Sequence, residues 1–93
     1  MLITDYPQIC ALCGRPTEAK HHLIFGTAMR KLADEDGLVL PVCNNCHNMG
    51  KLEERIHGNV AAEKLSKMLG QAIYEGHIGD REAFRKRYGK SFL

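Results

Sequence analysis

The chain has no tryptophan, and only three tyrosines and three phenylalanines stand among its 93 residues. Extensive base stacking, which needs rows of aromatic rings, is therefore not expected. No apolar run approaches the roughly twenty residues that a membrane span requires. The opening residues, Met1-Leu2-Ile3-Thr4-Asp5-Tyr6-Pro7, contain no basic stretch followed by an apolar block and do not read as a secretory signal. Strong charge is missing too: a net +2 is modest for a dedicated nucleic-acid binder. There is no internal repeat and no low-complexity linker. A chain of 93 residues makes one domain, here taken as residues 1–93, and a core that small needs a staple.

Cysteine supplies the staple. The four cysteines form two pairs, Cys10-Ala11-Leu12-Cys13-Gly14 and Cys43-Asn44-Asn45-Cys46-His47. Two C-x-x-C units about thirty residues apart can bring four thiolates to one tetrahedral zinc ion. The alternative is a redox pair or disulfide. A chain without signal or span is expected in the cytoplasm, where thiols stay reduced and metal is favoured. A closed shell of Cys10, Cys13, Cys43 and Cys46 leaves no position for water, so this zinc is expected to be structural.

Coarse elements follow from pattern. Residues 20–25 have β character and are expected to pair with residues 38–42. Residues 27–33 read as one or two helical turns, stopped by Asp34-Glu35-Asp36-Gly37. A helix is expected from Cys43 to about Arg55, broken near Gly50. The clearest helix begins after Asn59 as N-cap, with Ala61, Leu65, Met68, Leu69, Ala72 and Ile73 as one apolar face, and ends at Gly76. A last helix runs from Asp80 to about Tyr88, with Ala83, Phe84 and Tyr88 inward and Gly89 as the stop. The chain thus reads as an α+β zinc core over residues 1–58 with a helical extension over 59–93.

Histidine offers the chemistry. His21 and His22 are adjacent in a strand, so their side chains point to opposite faces and can divide labour. A divalent ion held by His21, His47 and His57 would keep open positions for a phosphate oxygen. His22 could then take a proton from water. Each residue also has a plainer reading: a surface and a core histidine in a strand, a His47 that bonds a zinc thiolate, a His57 that is a loop residue. Basic residues fall in two groups, Arg30 with Lys31, and a C-terminal set including Arg85, Lys86 and Arg87. These are either a phosphate track or a solvated helix face. The leucine stripe of the long helix is either core or a homodimer face over residues 60–75.

These motifs together resemble the His-Asn-His (HNH) endonuclease superfamily, and more narrowly its small phage and prophage members. The resemblance rests on C-x-x-C-G, His-His-Leu-Ile-Phe-Gly, Gly-Leu-Val-Leu-Pro-Val-Cys-x-x-Cys-His-Asn, Ile-His-Gly-Asn and the tail from Phe84 to Leu93. It implies a treble-clef, ββα-metal core with structural zinc on the cysteines. It implies His22 as general base, His21, His47 and His57 as ligands of a catalytic magnesium or manganese ion, DNA as substrate, and a bacterial host cytoplasm as location. The family's central asparagine has no counterpart in Asp34-Glu35-Asp36-Gly37-Leu38. Either Asp36 substitutes for it or catalysis is lost. The rival reading follows from that loss: a non-catalytic, zinc-stabilised module that binds a protein, such as an inhibitor of a bacterial defence nuclease of the CRISPR type. Its contact surface would be the acidic patch Asp34, Glu35 and Asp36 or the long helix.

Overall fold

The computed structural model describes residues 4–93; the first three residues of the expected extended lead-in lie outside that range. Two short antiparallel strands, β1 (Ala19–His22) and β2 (Val39–Val42), flank the helix α1 (Met29–Glu35) in sequence. The register pairs His21 with Leu40 and His22 with Val39, and Leu23 N–H extends the ladder to Leu38 C=O at 2.9 Å. The expected pairing is therefore present but shorter than the apolar pattern suggested. All four residues of β2 are buried, so this strand shows no polar alternation.

Beyond β2 the chain makes a π-helical turn, Asn45–Met49, in which Gly50 N–H reaches back to Asn45 C=O at 3.0 Å. Of the helix expected from Cys43 to about Arg55, only this turn forms, and it ends at Gly50, where the break was expected. Gly50 leaves this wide turn in an extended conformation, at φ −81° and ψ −174°, and residues 51–58 continue as turns. Those turns bring the chain back on itself: Ile56 N–H donates to Cys46 C=O at 2.8 Å and His57 N–H to His47 C=O at 3.0 Å.

The long helix α2 (Val60–His77) starts where the sequence placed it, with Asn59 Oδ1 accepting from Ala62 N–H at 3.2 Å. It runs one residue past Gly76. Its inward face differs from the expected one. Ser66, Gly70, Gln71 and Tyr74 are buried, whereas Leu65 and Leu69 are 62% and 45% exposed. The cause is closeness. A Cβ on Gly70 would stand 2.8 Å from Ile24 Cγ1 and 3.1 Å from Leu23 Cβ, so only the row of small residues lets the helix seat against the chain after β1.

The last helix α3 (Arg81–Tyr88) is capped by Asp80 Oδ1, which accepts from Ala83 N–H at 2.8 Å, and stops at Gly89 with φ +90°. Phe84 is fully buried and stacks on Tyr88 with ring centroids 4.5 Å apart. Burying these rings joins residues of α2 and α3 to Leu23, Ile24, Ala33, Leu38 and Val42 in one core. Asp36, at the end of α1, accepts from Arg87 Nε and Tyr88 Oη, each at 2.7 Å. Buried Gln71 is satisfied by the C-terminal tail: its Oε1 accepts from Phe92 N–H at 2.5 Å and its Nε2 donates to Ser91 Oγ at 2.9 Å. No helix among the described residues is long and apolar enough to cross a membrane.

Candidate metal centres

The first cysteine pair lies on a tight knuckle. Cys10 N–H donates to Arg15 C=O at 2.6 Å, Gly14 N–H donates to Cys10 C=O at 2.9 Å, and Gly14 has φ +81°, a conformation that favours glycine. Ala11 N–H donates to Pro41 C=O at 2.9 Å and ties the knuckle to β2. Cys43 follows β2 directly and Cys46 sits in the π-helical turn. As a result the four Sγ atoms all lie within 4.8 Å of one another, with Cys13 and Cys43 3.5 Å apart. Sulfurs on a tetrahedron with Zn–S bonds of about 2.3 Å would be about 3.8 Å apart. No cysteine is in a disulfide. The set can hold a metal ion, and four sulfurs suit zinc.

The electrostatics point the same way. Burial raises the Cys10 thiol, but backbone amides of Cys43, Leu12 and Cys13 outweigh it and bring the group to about 6. Cys43 is lowered chiefly by the backbone amide of Cys46. Cys46 is driven well up, first by burial and then by the three neighbouring thiols. Cys13 also ends raised: the Arg15 amide lowers it, but burial and the thiols of Cys43 and Cys10 prevail. Four thiols this close cannot all ionise on their own; a divalent cation removes that conflict.

A second cluster lies deeper. His21, on the inward face of β1, is fully buried. The backbone pairing of residues 56–57 with 46–47 sets His57 beside His47, with ring centroids 4.7 Å apart. His21 is 5.3 Å from His47 and 5.0 Å from His57 by the same measure. One nitrogen from each ring converges within 4.8 Å. Burial first, then the neighbouring His57, His47 and His22, hold His21 neutral, with its pKa pushed down to about 3. His47 is lowered as well, by burial and then by His57 and His22. His21 Nδ1 is buried with no hydrogen-bond partner among the described residues, which costs about 1–3 kcal/mol unless something binds there. Three imidazoles whose nitrogens converge, one of them the orphaned Nδ1 of His21, fit a transition-metal ion. Among the described residues no carboxylate joins the cluster, so nothing in the donor set supports magnesium, which takes oxygen ligands.

His22, on the outward face of β1, shares a cleft of about 420 Å³ with His47, His57, Lys20, Phe25, Gly26, Thr27 and Arg30. Its Nε2–H donates to Asp34 Oδ1 at 3.3 Å, since the carboxylate can only accept. Nδ1 is turned away from that carboxylate contact. Asp34 rather than Asp36 is thus the carboxylate against this imidazole; Asp36 is occupied by Arg87 and Tyr88. Of the basic residues singled out in the sequence, Arg30 lines the cleft and Lys31 is exposed farther along α1. Arg85, Lys86 and Arg87 belong to α3 and do not line it. Lys86 pairs with Glu82 at 3.8 Å, and Arg87 spends its guanidinium on Asp36 and on Glu35 at 3.2 Å.

Sequence reasoning missed Lys20, Glu63 and Ser66, and read Asp34 only as part of an acidic contact patch, not as the partner of His22. Lys20 was available, because it shares a strand face with His22 at a spacing of two. Glu63 Oε2 accepts from His57 Nδ1–H at 3.3 Å, and Ser66 Oγ lies 2.8 Å from His21 Nε2. The signal for Ser66 was the row of Ala62, Ser66 and Gly70, small residues at a spacing of four. Compared with known proteins, the chain matches no family model, no curated protein and no solved structure.

Proposed function

We propose that this chain is a metal-dependent phosphodiesterase of the phage HNH type that cuts DNA, built on a treble-clef core with structural zinc on Cys10, Cys13, Cys43 and Cys46. The observation that carries the reading is the convergence of nitrogens from His21, His47 and His57 beside a cleft that holds a fourth imidazole and two cations. An ion on those three nitrogens would supply positive charge for the scissile phosphate and the departing oxygen. Lys20 and Arg30 offer cations at the cleft for the flanking phosphates. His22 accepts the proton of the attacking water at Nδ1, while Asp34 holds the ring by Nε2–H and stabilises the imidazolium that forms. Asp34 fills the role left open by the missing asparagine.

The test is nicking of supercoiled plasmid by zinc-loaded protein with manganese, nickel, cobalt or magnesium, beside His22→Ala purified identically. Metal-dependent nicking that disappears in His22→Ala supports the reading. No nicking with any metal by a folded protein rejects it.

One observation favours the rival, a zinc-stabilised module that binds a bacterial defence nuclease or another protein. Leu12, Leu65 and Leu69 are 55%, 62% and 45% exposed and border a shared apolar groove. Exposed apolar surface of this kind suits a protein contact, including a second copy of the chain. The acidic patch suits it less, because Asp34 faces Lys20 and His22, and Asp36 and Glu35 face Arg87.

A further inference from the structure

The nitrogen that each imidazole can offer is fixed by what holds its other nitrogen. Ser66 Oγ–H donates to Leu23 C=O at 2.8 Å. Its proton is spent there, so toward His21 Nε2, also 2.8 Å away, the hydroxyl oxygen can only accept. His21 must therefore carry its proton on Nε2. The lone pair is on Nδ1, the buried atom that has no partner among the described residues. His57 is held the other way round. Glu63 Oε2 accepts from His57 Nδ1–H at 3.3 Å and from Gly58 N–H at 3.4 Å, which leaves Nε2 of His57 free.

Ser66 and Glu63 both belong to α2. From this arrangement we infer that α2 is part of the imidazole metal site: Ser66 and Glu63 are positioning residues that make His21 bind through Nδ1 and His57 through Nε2. The inference rests on reading His21, His47 and His57 as one metal site. It assigns to α2 a role that none of the three ligands reveals. Ser66 also links two demands. The same hydroxyl closes the backbone carbonyl of Leu23 and sets the tautomer of His21, so helix docking and ligand readiness go together. Gly70, one turn farther along, sets how near the helix stands to Leu23 and hence whether the hydroxyl can reach both partners.

The experiment uses the full chain carrying one equivalent of zinc, enough for the thiolates. Long-range proton–nitrogen NMR of the imidazoles reports each tautomer directly. The expected result is Nε2–H on His21 and Nδ1–H on His57. Nδ1–H on His21 overturns the inference, whatever the protein does with metals. Cobalt(II) is then titrated in, and binding is followed by its visible ligand-field bands without sulfur charge-transfer absorption. Ser66→Ala should weaken cobalt binding by about 10- to 100-fold and mix the His21 tautomers, and Glu63→Gln should weaken it in the same sense. Unchanged affinity in both variants overturns the inference. If Ser66→Ala does not fold, the wild-type tautomers and Glu63→Gln still decide. Should wild-type protein bind no cobalt at the imidazoles, the metal reading of the site fails, and with it this inference; the tautomers would then describe helix docking alone.

Discussion

Asp34 holds His22 from the side opposite its free nitrogen, Oδ1 to Nε2 at 3.3 Å. The carboxylate comes from the last turns of α1, and the imidazole from the end of β1. Helix and strand are thus joined at the residue proposed to take a proton. Asp34→Ala is expected to slow plasmid nicking by about 10- to 100-fold, less than the loss of the general base itself, for which factors of about 10²–10⁴ are usual. Asp34 is largely exposed, so the melting temperature should hardly move. An Asp34→Ala variant that nicks as fast as wild type would remove this residue from the proposed mechanism.

The sulfur cluster predicts how folding depends on metal. Structural zinc in small fingers contributes apparent free energies of about 10–16 kcal/mol, as much as or more than a typical domain's whole stability of about 5–15 kcal/mol. Cys43→Ser, or chelation to zero bound zinc, should abolish the near-ultraviolet circular dichroism of the tyrosines packed around Phe84. Retention of that signal at zero zinc would show that the core closes without the ion.

His21 predicts a pH dependence. Its folded-state pKa, about 3, lies below the ordinary 6.5 because the ring is buried beside other imidazoles. Between those values the unfolded chain binds a proton that the folded one refuses. Stability therefore rises with pH through this window and is lost as pH falls below 6.5, with a slope of at most about 1.4 kcal/mol per unit for one proton. His47, lowered for similar reasons, acts in the same direction. Urea unfolding of the zinc-loaded protein, followed from neutrality downward while zinc stays bound, should show this slope. His21→Gln should flatten it; an equally steep profile in that variant would assign the effect elsewhere.

Gly70 makes the sharpest packing prediction. Its missing side chain is what allows α2 to stand against Ile24. Gly70→Ala gains helix propensity of about 1 kcal/mol but overpacks a closed contact, at a cost of about 1–3 kcal/mol. The net expectation is a lower melting temperature, and a larger drop for Gly70→Val. A rise in Gly70→Ala would mean that Ile24 gives way easily.

The two cysteine pairs and the double histidine were legible because their meaning lies in short spacings. Both C-x-x-C units do meet, and His21, His47 and His57 converge. The caps at Asn59 and Asp80 were legible for the same reason. What the sequence hid was decided by distance. Apolar periodicity favoured Leu65 and Leu69, but the helix turns toward Ser66 and Gly70, because proximity to Leu23 and Ile24 admits only small side chains. The break near Gly50 was legible, but not that the chain beyond it doubles back as turns and carries His57 to His47 instead of resuming a helix to Arg55. Arg87 read as part of either a phosphate track or a solvated helix face, and its pairing with Asp36 and Glu35, about fifty residues away, was visible only in the fold.

The 20 residues that separate Cys46 from Ser66 also set a timetable. As the chain leaves a ribosome, the sulfur ligands are complete once Cys46 has emerged, whereas His21 has nothing to orient it until Ser66 follows. At about 5–20 residues per second, that gap lasts roughly one to four seconds. During it the nascent chain can capture zinc at the thiolates while its imidazoles are still unaimed. Any ion that met the chain during synthesis would thus find the sulfur set complete before His21 is oriented.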